Sequence, residues 1–276
     1  MQVNIYKGNT KLTKLIMGNS TDVIKNYFTD FTNNVFGQGT VVECGTAQGT
    51  HEPSRTLEYN YGWKTYGFEC DPKFYPLLEK NRPNAIKLNY ALSNKNGVSE
   101  FTQTAHGGNS SLKHCDAHIA ELKTYDARFA GGSPFKTIKV PTITWNTFIH
   151  KYNLDKVDLL ILDVEGAEMT ILDSFSSDSI LPQVIKIEYS YSDPQNKFLN
   201  KETKENFSGL IIIYKKLLSL GYQFDYVESN DAFFSLKTFW KEKPIPSVWQ
   251  GESQEFTWIN YTMYDKNKFR KMLKYL

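Results

Sequence analysis

Short, nearly continuous apolar runs that end in acidic residues alternate along the middle of the chain with segments whose apolar positions recur every three or four residues. The first pattern predicts strands buried on both faces, the second amphipathic helices packed against them. Val157 to Leu162 (Val-Asp-Leu-Leu-Ile-Leu) is the strongest strand and reads as central and parallel. Further strands are expected over 40–44, 65–68, 84–88, 138–142 and 184–187. Ser20 or Thr21 caps a helix running to about Asn33, with Val23, Ile24, Tyr27, Phe28 and Phe31 on one face. Helices are also expected from His51 to Tyr61, where Pro53 suits a first turn, after Pro72 through Leu77, Leu78 and Lys80, and from Thr144 to Tyr152. Two more follow, one after Glu168 with Ile171, Leu172 and Phe175 inward, and one from Phe207 to Leu220, stopped by Gly221. Val98 to Thr102 reads as an extra strand after the turn 94–97. Tyr222 to Val227 and Ala232 to Leu236 read as a closing hairpin. Alternating strands and helices predict an α/β fold with a mostly parallel sheet, helices on both faces and a terminal antiparallel hairpin. We expect a single domain, with a helical extension over 1–36, a core over 40–237 and a C-terminal extension over 238–276.

Length and charge fit this picture. The 276 residues suffice for one α/β domain with extensions, and the formal net charge of +2 argues against a field built for nucleic acid. The N-terminus lacks a charged start followed by an apolar run, and no apolar run is long enough to span a bilayer, so we expect a soluble, cytoplasmic protein. Cys44, Cys70 and Cys115 form an odd set without zinc-like spacing and read as small packing residues. His114 and His118, four apart with Asp116 between them, would share a helical face, but no third metal ligand accompanies them. A last helix carrying Phe269, Met272, Leu273 and Leu276 on one face and Lys268, Arg270, Lys271 and Lys274 on the other reads as docked, with a solvated basic side.

The stretch Val41-Val42-Glu43-Cys44-Gly45-Thr46-Ala47-Gln48-Gly49-Thr50 changes the picture from fold to chemistry. A strand runs into an acid and then a Gly-x-x-x-Gly turn, which lets the backbone bend sharply and approach a ligand. About twenty residues on, the next strand ends in Glu69, the place of an acid that holds ribose hydroxyls. Gly-x-Gly-x-x-Gly is absent, so a dinucleotide fits less well than S-adenosylmethionine, which has no pyrophosphate to cradle. A plain strand-to-helix turn is the alternative for the glycines alone. Glu43, Glu69, Asp163 and Glu188 all fall at expected strand ends, along the one sheet edge where open α/β sheets bind ligands. His106-Gly107-Gly108-Asn109-Ser110-Ser111 is a polar glycine loop suited to binding. The segment 113–134 after it reads as an insertion or lid.

Asp163-Val164-Glu165-Gly166-Ala167-Glu168 after an apolar strand resembles the signature of the FkbM methyltransferase family. Phe68-Glu69 with Pro72, Asn81, Ala91, Ser110-Ser111-Leu112 and Trp145 to Phe148 resemble family positions too, over roughly residues 40–237. The chain departs from the common pattern at Glu43-Cys44-Gly45-Thr46-Ala47, where Asp-Val-Gly-Ala-Asn is usual, and at Ile161, where many members carry lysine. The resemblance implies a seven-stranded class I methyltransferase fold, S-adenosylmethionine as cofactor and O-methyl transfer, often to sugars of glycans or to natural products. It implies that Glu69 binds the ribose and that Gly45, Thr46 and Gly49 line the methionine end, with Glu43 organising that loop. It sets Tyr90 and Ala91 near the adenine and adds Cys70, Ser111 and Asp163 to the cofactor contacts.

An alcohol acceptor must lose its proton as it is methylated. Asp163, at the end of the central strand, is the first candidate to contact it, followed by Glu165 and Glu188, with His106 as a further base. Asp163, Glu165 and Glu188 could alternatively ligate a divalent cation such as Mg²⁺, although no metal is required by the pattern. Capping of the following helix is the structural alternative for Glu165 and Glu168. The acceptor expected is a carbohydrate or glycan; RNA and a small natural product are alternatives on the same fold, as is a binding protein or silent scaffold without activity.

Overall fold

The computed structural model describes residues 2–7, 10–16, 20–30, 35–51, 53–104, 108–114, 116, 118–120, 122–123, 135–176, 178–191, 208–228 and 230–239. The elements begin with β1 (Gln2–Lys7), β2 (Thr10–Ile16), α1 (Ser20–Phe28), β3 (Thr29–Asp30), β4 (Val35–Phe36), β5 (Thr40–Cys44), α2 (Ser54–Tyr61), β6 (Lys64–Phe68), α3 (Tyr75–Asn81) and β7 (Ile86–Leu88). Then come β8 (Ala91–Ser93), β9 (Gly97–Gln103), β10 (Lys136–Thr144), α4 (Trp145–Lys151), β11 (Leu159–Leu162), α5 (Glu168–Leu172), β12 (Val184–Glu188), α6 (Ser208–Ser219), β13 (Tyr222–Glu228) and β14 (Asp231–Leu236).

Seven strands form one sheet in the order β7-β6-β5-β11-β12-β14-β13. Strands β5, β6, β7, β11 and β12 are parallel, and β14 runs antiparallel to both its neighbours. All four residues of β11 are buried, as its unbroken apolar run requires of a strand covered on both sides. On one face Val41, Leu159, Ile161, Val184 and Phe233 pack with Val23, Ile24, Tyr27 and Phe28 of α1 and with Leu57 of α2. On the other face Val42, Leu160, Leu162, Ile185 and Ile187 pack with Phe148 of α4, Leu172 of α5 and Leu217 of α6.

Three expectations need correction. The stretch 1–36 is not helical throughout, because β1 and β2 form an antiparallel hairpin ahead of α1. Helix α1 ends at Phe28, short of Asn33. The Thr29 hydroxyl turns back to donate to the Lys25 carbonyl at 2.6 Å, and the chain enters the short β3–β4 pair. The strand expected over 138–142 is longer and stands outside the main sheet. As β10 it pairs with β8 and β9 in a separate three-stranded sheet. Phe31, most of the insertion over 113–134 and the basic tail helix lie outside the described residues.

Candidate functional site

The right-handed crossovers of a parallel sheet bring the carboxyl ends of its strands to one edge. The turn after β5 is held against β6, because the backbone N–H groups of Gly45 and Thr46 both donate to the Phe68 carbonyl at 3.2 Å. Gly45 and Gly49 take φ of +88° and +75°, and Ala47 between them is also left-handed, at +47°. A Cβ on Gly45 would collide with the Asp163 carbonyl, and one on Gly49 would stand 2.7 Å from both Arg82 Cγ and Leu78 Cδ1.

A cavity opens beside this turn. Of the expected cofactor contacts, Gly45, Glu69, Cys70, Tyr90, Ala91, Ser111 and Asp163 line it. Sequence reasoning missed Ala47, Phe101, Leu112 and Ala167 in the wall. Phe101 carries no motif and arrives from the separate sheet, while Leu112 ends the Ser110-Ser111-Leu112 stretch in the loop after it. Glu43, Thr46 and Gly49 are not in the lining. Thr46 is buried, with its hydroxyl donating to the Phe68 carbonyl at 3.1 Å. Glu43 points under the turn. There it accepts a bond from the Ser54 hydroxyl and lies 3.8 Å from Arg82, whose Nε donates to Glu58 at 2.7 Å. Burial raises the pKa of Glu43, opposed by the Ser54 bond and the Arg82 charge. Glu43 thus links the end of β5 to Ser54 of α2 and to Arg82 just past α3.

Glu69 follows β6 at the cavity wall. Its N–H donates to the Leu88 carbonyl, and its carboxylate accepts the N–H of Asp71 at 2.7 Å. Burial pushes its pKa up to about 7, against the pull of that N–H. Asp71 in turn accepts from the Lys73 N–H at 2.8 Å and from Gln103 Nε2 at 2.6 Å, which pins the acidic tip to β9. Tyr90 lines the cavity, with Lys151 Nζ over its ring at 4.8 Å. Cys44 and Cys70 are buried free thiols whose pKa burial raises, consistent with a packing role; Cys115 lies outside the described residues.

The third group gathers at β11 and β12. Asp163 opens onto the cavity from the end of β11, in line with Glu188 at the end of β12 and with Asp231 opposite it on β14. Asp163 and Glu188 are hydrogen-bonded to each other. Crowding by the surrounding protein raises the pKa of Asp163, while Lys186 pulls it back. Burial, then the charges of Asp163, Glu165, Glu168 and Asp231, push Glu188 up to about 10. Both members of the pair thus hold a proton more tightly than a free carboxyl does.

Glu165 takes φ of +58°, a strained conformation for a side-chain-bearing residue, and stands 3.6 Å from His118 Nε2. Glu168 does not cap the helix it opens; its carboxylate ties down the preceding turn by accepting the N–H groups of Val164 and Gly166 at 3.1 Å. Ser111 ties the glycine loop to the same turn by donating to the Val164 carbonyl at 2.7 Å. His118 stacks on Tyr191, with ring centres 3.6 Å apart. His106 lies outside the described residues.

His114 is not helical, and its Nε2 meets the Asn109 carbonyl at 2.8 Å, so the two histidines do not make the shared helical face of a metal pair. Among the described residues the group that could hold a cation is Asp163, Glu165 and Glu188, whose nearest oxygens lie within 4.8 Å of one another. Three carboxylates suit Mg²⁺, which would bind them in their ionised form. The described residues include no helix long and apolar enough to cross a membrane.

Comparison with known proteins agrees with the geometry. The model of the methyltransferase FkbM domain matches residues 43–224. Among curated proteins no relative is detected. Solved structures with partial similarity include a ribosomal protein L11 methylase from Lactobacillus delbrueckii subsp. bulgaricus, at 11% identity over 74% of this chain and 71% of that one, with a TM-score of 0.34. A fibrillarin/Nop5p complex matches at 16% identity over 72% of each chain, with a TM-score of 0.38. A precorrin-6y C5,15-methyltransferase from Geobacter metallireducens GS-15 matches at 9% identity over 77% of this chain and 82% of that one, with a TM-score of 0.33. The seven-stranded sheet with β14 inserted antiparallel has the class I methyltransferase arrangement, Rossmann-like in its parallel part. A glycine turn and the acids Glu69 and Asp163 meet around one cavity within the matched span, and by that match over residues 43–224 the chain belongs to the FkbM methyltransferase family.

Proposed function

We propose that the chain is an S-adenosylmethionine-dependent O-methyltransferase acting on a sugar hydroxyl of a glycan. The observation that carries the reading is one cavity lined together by Gly45, Glu69 and Asp163. The residues suit the cofactor: Glu69 is a buried carboxylate that could accept two ribose hydroxyls, Tyr90 and Ala91 offer an aromatic ring and a small apolar side chain to a base, and Gly45 leaves the backbone bare. When bound, S-adenosylmethionine supplies a methyl group already activated by its sulfonium. The chain has to align the acceptor and exclude water.

Asp163 accepts the proton of the acceptor hydroxyl as the new O–C bond forms and the C–S bond breaks, its electron pair leaving on sulfur. Glu188, whose pKa is pushed up to about 10, hydrogen-bonds to Asp163 and holds that carboxylate in place. The abundance of hydroxyl-accepting carboxylates at this wall is what favours a polyol acceptor. Titration with S-adenosylmethionine tests the cofactor, and Glu69→Ala is expected to abolish binding. Cofactor turnover across a panel of mono- and oligosaccharides, with and without EDTA, tests the acceptor and any role for a cation. Exclusive methylation of RNA or protein would refute the sugar assignment.

A further inference from the structure

Lys186 lies within this wall, and no step above uses it. It is 5% exposed, a costly place for an ammonium group unless it is paired. Its Nζ stands 2.6 Å from Asp231 Oδ2. Paired residues of neighbouring strands share a face, and the pairing here sets Glu43 on β5, Ile161 on β11 and Lys186 on β12 in one row. One step nearer the carboxyl edge, Asp163 and Glu188 point the same way, with Asp231 opposite Glu188. Glu165 reaches the group from the turn after β11. His51, ahead of α2, adds a weaker favourable charge at Asp163, and Arg82 serves Glu43 from beneath the turn. The charge of Lys186 is felt at both Glu43 and Asp163. Position 161 on the same face is isoleucine, so the wall takes its cation from β12.

Without that lysine the carboxylates would stand largely unopposed beside the reacting centre. The positive charge on a sulfonium methyl donor fades as the methyl leaves. An unopposed negative wall would thus hold the charged donor more strongly than the transition state and slow the transfer. We infer that Lys186 is a positioning residue of the methyl-transfer wall, which offsets the carboxylates around Asp163 and so sets the balance of affinity between S-adenosylmethionine and its uncharged product, S-adenosylhomocysteine. The inference rests on the proposed use of S-adenosylmethionine.

Donor and product differ by one methyl group and one charge, so the ratio of their affinities reads the field at sulfur without any acceptor. Calorimetric titration of the full chain with each ligand is the test. Lys186→Met is expected to shift the ratio about three- to tenfold toward S-adenosylmethionine. Lys186→Arg keeps the charge and the wild-type ratio. The transposed variant Ile161→Lys with Lys186→Met returns the cation to the same face from β11 and restores the ratio to within about twofold. A merely structural lysine would lower both affinities together. An unchanged ratio in Lys186→Met, or an equal shift in Lys186→Arg, overturns the inference while leaving the proposed function standing. If Lys186→Met does not fold, the transposed variant decides, and a ratio far from wild type overturns the inference. Failure of the wild-type chain to bind either ligand overturns the proposed function and this inference with it.

Discussion

Gly45 and Asp163 meet where there is no room for a side chain: an ideal Cβ on Gly45 would stand 1.8 Å from the Asp163 carbonyl oxygen. The contact is between backbones, so neither rotamer change nor side-chain retreat can relieve it. It locks the turn after β5 to the end of β11, both of which line the cavity. Gly45→Ala adds both this collision and a left-handed φ of +88°. We expect at least a hundredfold loss of S-adenosylmethionine affinity, about 2.7 kcal/mol. Calorimetry on a variant whose far-ultraviolet circular dichroism matches wild type checks it; affinity within a few-fold of wild type would show that the two segments need not touch.

Glu69 sets a pH dependence for cofactor binding. Burial pushes its pKa up to about 7, so near neutrality the free chain holds it half protonated. Ribose hydroxyls donate best to a carboxylate, and binding therefore favours the ionised form. Affinity for S-adenosylmethionine is expected to rise as pH increases through about 7 and to level off above it. Glu69→Gln should bind weakly with a flat profile across the same range. A wild-type profile that falls with rising pH would remove Glu69 from the ribose.

Arg82 is a buried cation that touches no ligand. It is fully buried, bonded to Glu58 and Ser54 and close to Glu43, while its aliphatic stem lies against Gly49. Removing it leaves buried carboxylates without their counter-charge, which costs about 3–5 kcal/mol. Arg82→Met is expected to lower the melting temperature by roughly 6–20 °C. Arg82→Lys should rescue little, because a single ammonium cannot reach Glu58 and Ser54 together as the guanidinium fork does. Thermal unfolding of both variants measures this, and a melting point unchanged in Arg82→Met would show that the network is dispensable.

These effects divide between what local sequence records and what it does not. The strand Leu159–Leu162 and the acids beyond it were legible because continuous apolar residues fix burial on both faces and the strand's end fixes where Asp163 emerges. Glu188 was legible for the same reason. Glu43 and Glu69 look alike in sequence, yet one is inside its strand and the other just past its strand's end. That two-residue offset leaves Glu43 beside Arg82 and sets Glu69 at the cavity. Arg82 itself carries no motif, and its partners are distant in the chain. The left-handed turn at Ala47 has no glycine to announce it. The short helix α1 reflects a pairing of β3 with β4 that helical periodicity cannot register.

Tyr27 and Asp225 join the first helix to the closing hairpin, and they set the last expectation. The Tyr27 hydroxyl donates to Asp225 Oδ2 at 3.0 Å, and Gln223 Nε2 donates to Oδ1 at 2.9 Å. Asp225 sits where the β13–β14 register shifts, between Phe224 and Tyr226, an irregularity that re-aims a side chain. Burial raises its pKa to about 6, against the lowering effect of the bonds from Ser235, Gln223 and Tyr27. A carboxyl whose folded pKa exceeds its unfolded value binds its proton more tightly when folded. Its contribution to stability is therefore full below about pH 4 and is lost as pH rises to about 6, a change of roughly 3 kcal/mol. Asp225→Asn should flatten that part of the stability curve. Tyr27→Phe removes a bond that favours the charged form, so it should move the upper end of the window to higher pH and cost about 1 kcal/mol. Denaturant unfolding at pH 4, 5, 6 and 7 separates the variants. A wild-type curve whose Asp225-dependent part rises between pH 4 and 6 would mean that the carboxylate is ionised in the fold and that Tyr27 docks α1 onto a charge.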